Sequence, residues 1–226
     1  MSFLNGAEDV CFRDKYSYEL FSTIPQVRYA TDLVFNLDTS QIQLTNRKRV
    51  VFSIIDCNEK MNQKYTKAYE QKMIEMTKFA LSQGYEVCYM SFCRIEKDEE
   101  AIERIIGQCD EQLQKQIQTY YYRGNIQEAL QILADCQAIV GARFHSNILG
   151  LLFQKTIIPV IYSDKTKKVL EDISFQGKMV DIENISDLQM EKIWNKENLN
   201  YQLDITDIKE NAKKQFEGLD KILKKG

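Results

Sequence analysis

From about residue 48 onward, short apolar runs alternate along the chain with stretches of helical periodicity. The first run, 49–55, is almost continuously apolar and rich in β-branched residues, which is typical of a strand buried on both faces of a sheet. In the next stretch, 62–83, apolar side chains recur at helical spacing, and Gly84 marks the end of the pattern. This alternation predicts βαβ units and therefore a parallel sheet.

The same alternation continues through the rest of the chain. The predicted strands are 49–55, 85–92, 116–121, 137–141, 156–162 and 178–182. The predicted helices are 62–83, 98–109, 125–135, 144–153, 165–173 and 205–223. The helix 98–109 begins with acidic residues, which complement the positive end of its dipole. The expected fold class is α/β, with a Rossmann-like doubly wound parallel sheet.

The opening residues do not follow this alternation. They predict a short strand at 8–12, a helix at 15–22 and an extended segment at 27–34. We therefore expect two parts, an opening part at 1–44 that belongs to another domain, and a Rossmann-like domain at 45–226 that ends in a terminal helix.

Composition narrows the class of protein. The 226 residues include 30 basic and 33 acidic side chains and one histidine, which gives a net charge of −3. A negative net charge gives no electrostatic case for nucleic-acid binding. The content of 44% hydrophobic and 28% charged residues indicates a globular, soluble protein and excludes a disordered or collagen-like one.

Cysteine spacing and the apolar segments indicate where the protein works. The six cysteines form no CxxC pair and only one histidine is present, so no metal site is expected. Scattered cysteines of this kind fit reduced thiols. The start lacks the pattern of a signal peptide, and the longest apolar stretch, 148–162, is too short to span a bilayer. The expected location is the cytoplasm.

The residues after the predicted strand 137–141 are the first candidates for chemistry. Arg143 and His145 stand where a helix begins, at the sheet edge where ligands of α/β folds bind. Backbone N–H groups there favour an anion, and the arginine fork matches a carboxylate or a phosphate. Histidine exchanges a proton near neutral pH. The alternative is that His145 only caps the helix or contacts a polar neighbour.

Two further clusters carry charged residues that could bind an anion. In the first, Arg13 lies beside Asp14 before a short predicted helix; the alternative is that Asp14 or Ser17 caps that helix and Arg13 pairs with Asp14 or Glu19. In the second, the segment 162–168 brings three lysines to the carboxyl end of a predicted strand. A solvated helix face is the alternative there.

Taken together, these segments resemble the polysaccharide pyruvyl transferase family, over residues 8 to about 175. The strand–helix junction and the lysine loop after it are the most specific parts of the resemblance. The matching segments are Arg13-Asp14 with Tyr16-Ser17, Ala30-Thr31-Asp32 with Phe35, Ile139-Val-Gly-Ala-Arg-Phe-His-Ser146, and Ile158-Pro-Val-Ile-Tyr162 with Asp164-Lys165.

The resemblance implies a fold and a reaction. The fold is the C-terminal Rossmann-like domain of a B-type glycosyltransferase, and the reaction transfers the pyruvyl group of phosphoenolpyruvate to two sugar hydroxyls as a ketal. By resemblance, Arg13 and Arg143 bind the phosphate and carboxylate, Lys165 adds positive charge, Ser146 contacts substrate, and His145 is the general acid. No metal or cofactor is expected besides phosphoenolpyruvate as donor substrate. The acceptor is a glycan or lipid-linked glycan in cell-surface polysaccharide synthesis, so the expected location includes the inner membrane face.

One departure from the family changes the expectation. The Gly-rich N-terminal domain of the family has no counterpart here, and 1–44 resembles its last elements. The expected partners therefore include a missing N-terminal half or a second copy of the chain, and inactivity of the isolated chain is one expectation. Two alternatives remain open: a nucleotide-sugar glycosyltransferase, and a non-catalytic fragment that binds a partner chain.

Overall fold

The computed structural model describes residues 2–61 and 63–224, which divide into two compact units. The first unit comprises Met1–Thr39, Ser163–Gln176 and Leu203–Gly226, as far as these are described. The second comprises Ser40–Tyr162 and Gly177–Gln202. The helix at 165–173 and the terminal helix, which the sequence interpretation assigned to the later domain, thus belong with the opening residues.

The strands and helices lie close to the ranges that the sequence predicts. The strands are β1 (Val10–Phe12), β2 (Val27–Tyr29), β3 (Arg49–Ser53), β4 (Glu86–Ser91), β5 (Ile117–Tyr121), β6 (Ala138–Gly141), β7 (Thr156–Ile161) and β8 (Val180–Asp181). The α-helices are α1 (Ser2–Asn5), α2 (Lys15–Phe21), α3 (Cys57–Met61), α4 (Thr66–Ser82), α5 (Asp98–Gly107), α6 (Glu111–Gln114), α7 (Ile126–Asp135), α8 (Phe144–Leu152), α9 (Asp164–Asp172), α10 (Met190–Ile193), α11 (Lys196–Asn200), α12 (Thr206–Ala212) and α13 (Glu217–Leu223).

The second unit contains a parallel sheet of six strands in the order β5-β4-β3-β6-β7-β8. Numbered within the unit, this order is 3-2-1-4-5-6, which is the Rossmann arrangement and confirms the predicted fold class. The strand order reverses between β3 and β6, where Ser53 pairs with Gly141 at the carboxyl ends. This reversal is the place where doubly wound folds bind ligands.

The core of the second unit lies on both faces of this sheet. Every residue of β3, β6 and β7 is buried, as the apolar runs predict. The apolar residues at helical spacing in 62–83 are Tyr65, Tyr69, Met73, Met76 and Ala80; the last four are buried on α4, and Tyr65, just before the helix, is partly buried. The helix begins at Thr66, and Asn62, where the predicted helix began, lies outside the described residues.

The first unit is built around the parallel pair β1–β2. The predicted terminal helix 205–223 is in fact two helices, α12 and α13, separated by a 3-10 turn at Lys213–Phe216. In this turn the guanidinium of Arg28 donates to the backbone carbonyls of Lys214 and Gln215. A continuous helix would use those carbonyls for its own ladder, which explains the interruption.

Short elements account for the other differences from the sequence interpretation. The predicted strand 178–182 shortens to β8, and the extended segment 27–34 ends as a strand at Tyr29. Asp32 then caps a 3-10 turn by accepting from the backbone N–H of Val34 at 3.0 Å. The pattern did not predict the short helices α3, α6, α10 and α11. Among the described helices, none combines the length and the apolar character needed to cross a bilayer.

Candidate functional site

The strand-order reversal in the second unit is organised by Ser53. Its hydroxyl oxygen accepts from the backbone N–H of Arg143 at 3.3 Å, and its carbonyl accepts from the N–H of Ala142 at 3.2 Å. These bonds attach the segment after β6 to the end of β3. The backbone of Arg143 is therefore fixed at the edge of the sheet where ligands bind.

The turn from β6 into α8 requires a glycine. A Cβ on Gly141 would lie 2.1 Å from Oδ1 of Asn147, which is far inside van der Waals contact. The side-chain amide of Asn147 donates to the carbonyls of Gly141 at 2.9 Å and of Arg143 at 3.2 Å. The buried Ser146 hydroxyl also donates to the Arg143 carbonyl, at 2.6 Å. Ser146 thus stabilises the turn, and its contact with substrate stays a prediction.

The Arg143 side chain is held by two carboxylates. Its Nε donates to Oδ2 of Asp98 at 3.0 Å, and its Nη2 donates to the other oxygen of the same carboxylate. Its Nη1 donates to Glu96. Asp98 is fully buried and also accepts from the backbone N–H groups of Phe92 at 3.1 Å and Cys93 at 2.8 Å. Two backbone amides and a bidentate fork therefore fix this carboxylate.

Burial and pairing act on the pKa values of this cluster in opposite directions. Burial by itself lowers the pKa of Arg143, but the hydrogen bonds and charges of Asp98 and Glu96 outweigh it and raise that pKa above its ordinary value. Burial raises the pKa of Asp98, while Arg143 and the two backbone amides oppose the rise. The guanidinium of Arg143 is accordingly charged at neutral pH.

His145 is the exposed member of the strand–helix junction. It is the second residue of α8, and its ring meets the ring of Phe144 edge to face, with 4.9 Å between the centroids. His145 lies in the first turn of a nine-residue helix, at the end where unpaired backbone N–H groups favour an anion. Its exposure lets a ligand reach it, which a general acid requires.

In the first unit, Arg13 and Asp14 have separate partners. The carboxylate of Asp14 caps α2 by accepting from the N–H of Ser17 at 2.7 Å, as the capping alternative predicted. Nη1 of Arg13 donates to Oδ2 of Asp32 at 2.7 Å, 19 residues further along the chain. Asp32 is buried, and Arg13 is 36% exposed. The Arg13 side chain is therefore partly exposed to solvent.

Lys165 shares the electrostatic environment of Arg13. It is exposed near the start of α9, where partial burial and then the charge of Arg13 lower its pKa, while Asp32 and Asp14 oppose this. Lys168 has a different role, since its ammonium lies over the ring of Tyr16 at 3.4 Å from the centroid. Within the segment 162–168, Lys168 therefore contacts an aromatic ring, while Lys165 lies within the electrostatic influence of a second cation, Arg13.

The five site residues named from the sequence are distributed over both units. Arg13 and Lys165 belong to the first unit, and Arg143, His145 and Ser146 to the second. Two acidic partners, Asp98 and Glu96, were not among them. The sequence interpretation assigned the acids at the head of 98–109 to the helix dipole. The signal that could have identified them is their place between the end of β4 and the start of α5, since this connection leaves the carboxyl edge of the sheet.

Comparison with known proteins gives a family and a fold. The model of the family "Polysaccharide pyruvyl transferase" matches residues 1–164. Among solved structures, the chain is similar to TarM of S. aureus, as a mutant in complex with fondaparinux, α-GlcNAc-glycerol and UDP (TM-score 0.51, 11% identity, 98% of this chain and 44% of that one). It is also similar to a UDP-forming α,α-trehalose-phosphate synthase from Burkholderia xenovorans (TM-score 0.55, 9% identity, 97% of this chain and 61% of that one).

The family match and the structural similarities support different conclusions. At about 10% identity the structural similarity shows the fold alone, a Rossmann-like α/β fold with a parallel sheet. The chain spans less than two thirds of the length of either structure. A comparison with curated proteins gave no match.

Proposed function

The chain belongs to the polysaccharide pyruvyl transferase family, and we propose that it takes part in transferring a pyruvyl group from phosphoenolpyruvate to a sugar. The product is a cyclic ketal on a glycan or lipid-linked glycan used in cell-surface polysaccharide synthesis. The observation that carries the proposal is the family match across a strand–helix junction that presents Arg143 and an exposed His145. The corresponding place of action is the cytoplasm, at the inner membrane face where lipid-linked acceptors are found.

The chemistry of the reaction explains why these residue types are needed. Protonation of the methylene carbon of phosphoenolpyruvate forms a C–H bond and leaves an oxocarbenium-like centre at the neighbouring carbon. One sugar hydroxyl attacks that centre, and a second hydroxyl then displaces the phosphate. Two C–O bonds to the sugar form, and the C–O bond to the phosphate breaks. Of the two hydroxyl protons, one restores the general acid and the other leaves with the phosphate.

His145 is the proposed general acid for the first step. Imidazole is the side chain best suited to hold and deliver a proton near neutral pH. A bound phosphate beside His145 would favour the imidazolium form, so donor binding would itself charge the acid. The proposal therefore couples binding of the donor to readiness for proton transfer.

The cationic residues are proposed to bind the donor. Phosphoenolpyruvate carries a phosphate and a carboxylate, which arginine forks recognise bidentately. Each unit offers cations for such groups: Arg143 in the second unit, and Arg13 with Lys165 in the first, are each proposed to bind an anionic group of the substrate. The mutual repulsion of Arg13 and Lys165, which contributes to the lowered pKa of Lys165, would be relieved by an anion.

Two other functions are also candidates. The fold is shared with the UDP-forming synthase and with TarM in complex with UDP, which favours a nucleotide-sugar glycosyltransferase. A non-catalytic domain that binds a partner chain is the other candidate, and the titration below separates all three.

The deciding experiment is a calorimetric titration of the full chain with phosphoenolpyruvate and, separately, with UDP. We expect phosphoenolpyruvate to bind and UDP not to bind. Lys165→Ala should weaken the binding of phosphoenolpyruvate about fivefold to tenfold, because one charge is lost beside the anion. Lys167→Ala, on an exposed lysine of the same helix, is the matched control and should bind as the unmodified chain does.

The other results each identify a different function. Binding of UDP alone would favour the glycosyltransferase. Binding of neither ligand would favour the partner-binding domain. If phosphoenolpyruvate binds and ketal formation on an acceptor is observed, His145→Ala should abolish transfer and leave a bound donor. If His145→Ala transferred the pyruvyl group at the rate of the unmodified chain, the assignment of His145 as the general acid would be wrong.

A further inference from the structure

One guanidinium in the second unit faces two carboxylates. Arg143 donates through Nε and Nη2 to Asp98 and through Nη1 to Glu96. These three side chains together carry a net charge of −1, because two acids share one base. An anion that approaches this guanidinium is repelled until one of the two carboxylates withdraws.

Asp98 is not the carboxylate that withdraws. Its side chain is fully buried, and both of its oxygens accept from Arg143. One of them also accepts from the backbone N–H groups of Phe92 and Cys93. Breaking such a buried pair leaves an uncompensated charge in a place that water does not reach. Asp98 therefore belongs to the permanent framework that orients Arg143.

Glu96 is much more accessible to solvent than Asp98. Its side chain is 35% exposed, and it lies on the loop between β4 and α5, next to Ile95, whose side chain is almost entirely in solvent. Lys97, with a left-handed backbone at φ 57°, separates the two acids and lets both face the same guanidinium. An exposed carboxylate that leaves an ion pair is rehydrated at once, so its withdrawal costs little.

We propose that Glu96 occupies the edge of Arg143 that the anionic group of the substrate takes, and that Asp98 is the positioning residue that holds the opposite edge. Glu96 is then a displaceable stand-in for substrate, and its withdrawal changes the charge of the cluster from −1 to 0. That the substrate is phosphoenolpyruvate rests on the proposed function. The division of Arg143 between a fixed and a displaceable carboxylate rests on the geometry of the second unit alone.

The test is a calorimetric titration of the full chain with inorganic phosphate and with phosphoenolpyruvate at low ionic strength. Glu96→Gln should strengthen the binding of both anions about threefold to tenfold, because a competing charge is removed from Nη1. Glu100→Gln is the matched control. It removes the same charge from an exposed residue in the first turn of α5 and should leave both affinities unchanged.

A double-mutant cycle tests the positioning role of Asp98. Asp98→Asn should weaken anion binding at least about tenfold, because Arg143 loses its orienting carboxylate and pairs more closely with Glu96. Adding Glu96→Gln to Asp98→Asn should then recover more affinity than it adds to the unmodified chain. General damage to the fold by Asp98→Asn would not be repaired by a second change at Glu96.

The possible results separate this inference from the proposed function. If Glu96→Gln binds phosphate no more tightly than the unmodified chain and Glu100→Gln, or binds none, the inference is overturned whatever phosphoenolpyruvate does. If Glu96→Gln binds phosphate more tightly but no variant prefers phosphoenolpyruvate to phosphate, the inference holds and the proposed function fails. If Glu96→Gln increases the affinity for anions by the same factor in the unmodified chain and in Asp98→Asn, the positioning role of Asp98 is overturned.

Discussion

The two units hold their site arginines in contrasting ways. In the second unit Arg143 is 13% exposed and lies between Asp98 and Glu96, so that the three side chains sum to −1. In the first unit Arg13 is paired with the buried Asp32, and Arg13, Asp32 and Asp14 all act electrostatically on Lys165, so that these four side chains sum to 0. Arg143 is part of a buried framework with an excess of negative charge, while Arg13 is partly exposed in a cluster whose charges balance.

The two arginines are expected to contribute differently to the stability of the fold. A side chain that neutralises a fully buried carboxylate is needed for the fold before any ligand arrives. A partly exposed arginine contributes less to the fold, because water can take its place beside the partner carboxylate. We therefore expect the loss of Arg143 to lower the free energy of unfolding more than the loss of Arg13 does.

The largest expected effect is on stability when Arg143 is removed. Arg143→Ala should lower the free energy of unfolding by about 3–5 kcal/mol, because Asp98 remains buried without its guanidinium. Arg13→Ala should lower it by less, about 1–3 kcal/mol, because Arg13 is 36% exposed and water can take its place beside Asp32. Urea unfolding followed by circular dichroism measures both values. Equal losses in the two variants would break the comparison.

A smaller difference in stability is expected between two glycine-to-alanine variants, one in each unit. Gly141→Ala should cost about 2–3 kcal/mol, since its Cβ would meet the buried Asn147 amide at 2.1 Å. In Gly218→Ala the Cβ would lie 2.1 Å from Cγ of Asp9, a carboxylate near the surface that can shift.

Helix propensity makes the second of these changes milder. Gly218 lies inside α13, where alanine is favoured over glycine by about 1 kcal/mol, so most of the cost should be offset. The comparison of urea midpoints is again the measurement. A Gly218→Ala variant that is as unstable as Gly141→Ala would mean that the first unit is as rigid as the second.

The smallest expected effect is the acid sensitivity of the first unit. The hydrogen bonds from Arg28 lower the pKa of Asp9, although burial opposes this. The folded carboxyl therefore loses its proton at a lower pH than the unfolded one. Its contribution to stability is present above the ordinary pKa of 3.8 and is lost as pH falls through the folded value.

Asp9→Asn should remove this contribution. The variant should lose less stability between pH 5 and pH 3 than the unmodified chain, as measured by urea midpoints at each pH. Asp207→Asn, on an exposed aspartate of the same unit, is the control and should lose as much as the unmodified chain. A steeper acid loss in Asp9→Asn would contradict the direction of the pKa shift.

The sequence by itself determined the fold class and most of its elements. Apolar runs such as 49–55 and 156–162 have one stable outcome, burial on both faces of a parallel sheet, and the strands were found there. The place of Arg143 and His145 was equally predictable. A strand that ends in glycine before a helix puts the next residues at the carboxyl edge wherever the strand lies in the sheet.

Only the tertiary structure decided which partners these residues have. The pairing of Arg143 with Asp98 spans 45 residues, and that of Arg13 with Asp32 spans 19. The sequence also did not show that 163–176 and 203–226 form one compact unit with the opening residues. The periodicity of apolar residues shows which side of each segment faces the core and which side faces water, and it therefore specifies the helices and strands. Ion pairs and unit boundaries depend on which segments the folded chain brings together, and no local pattern contains that information.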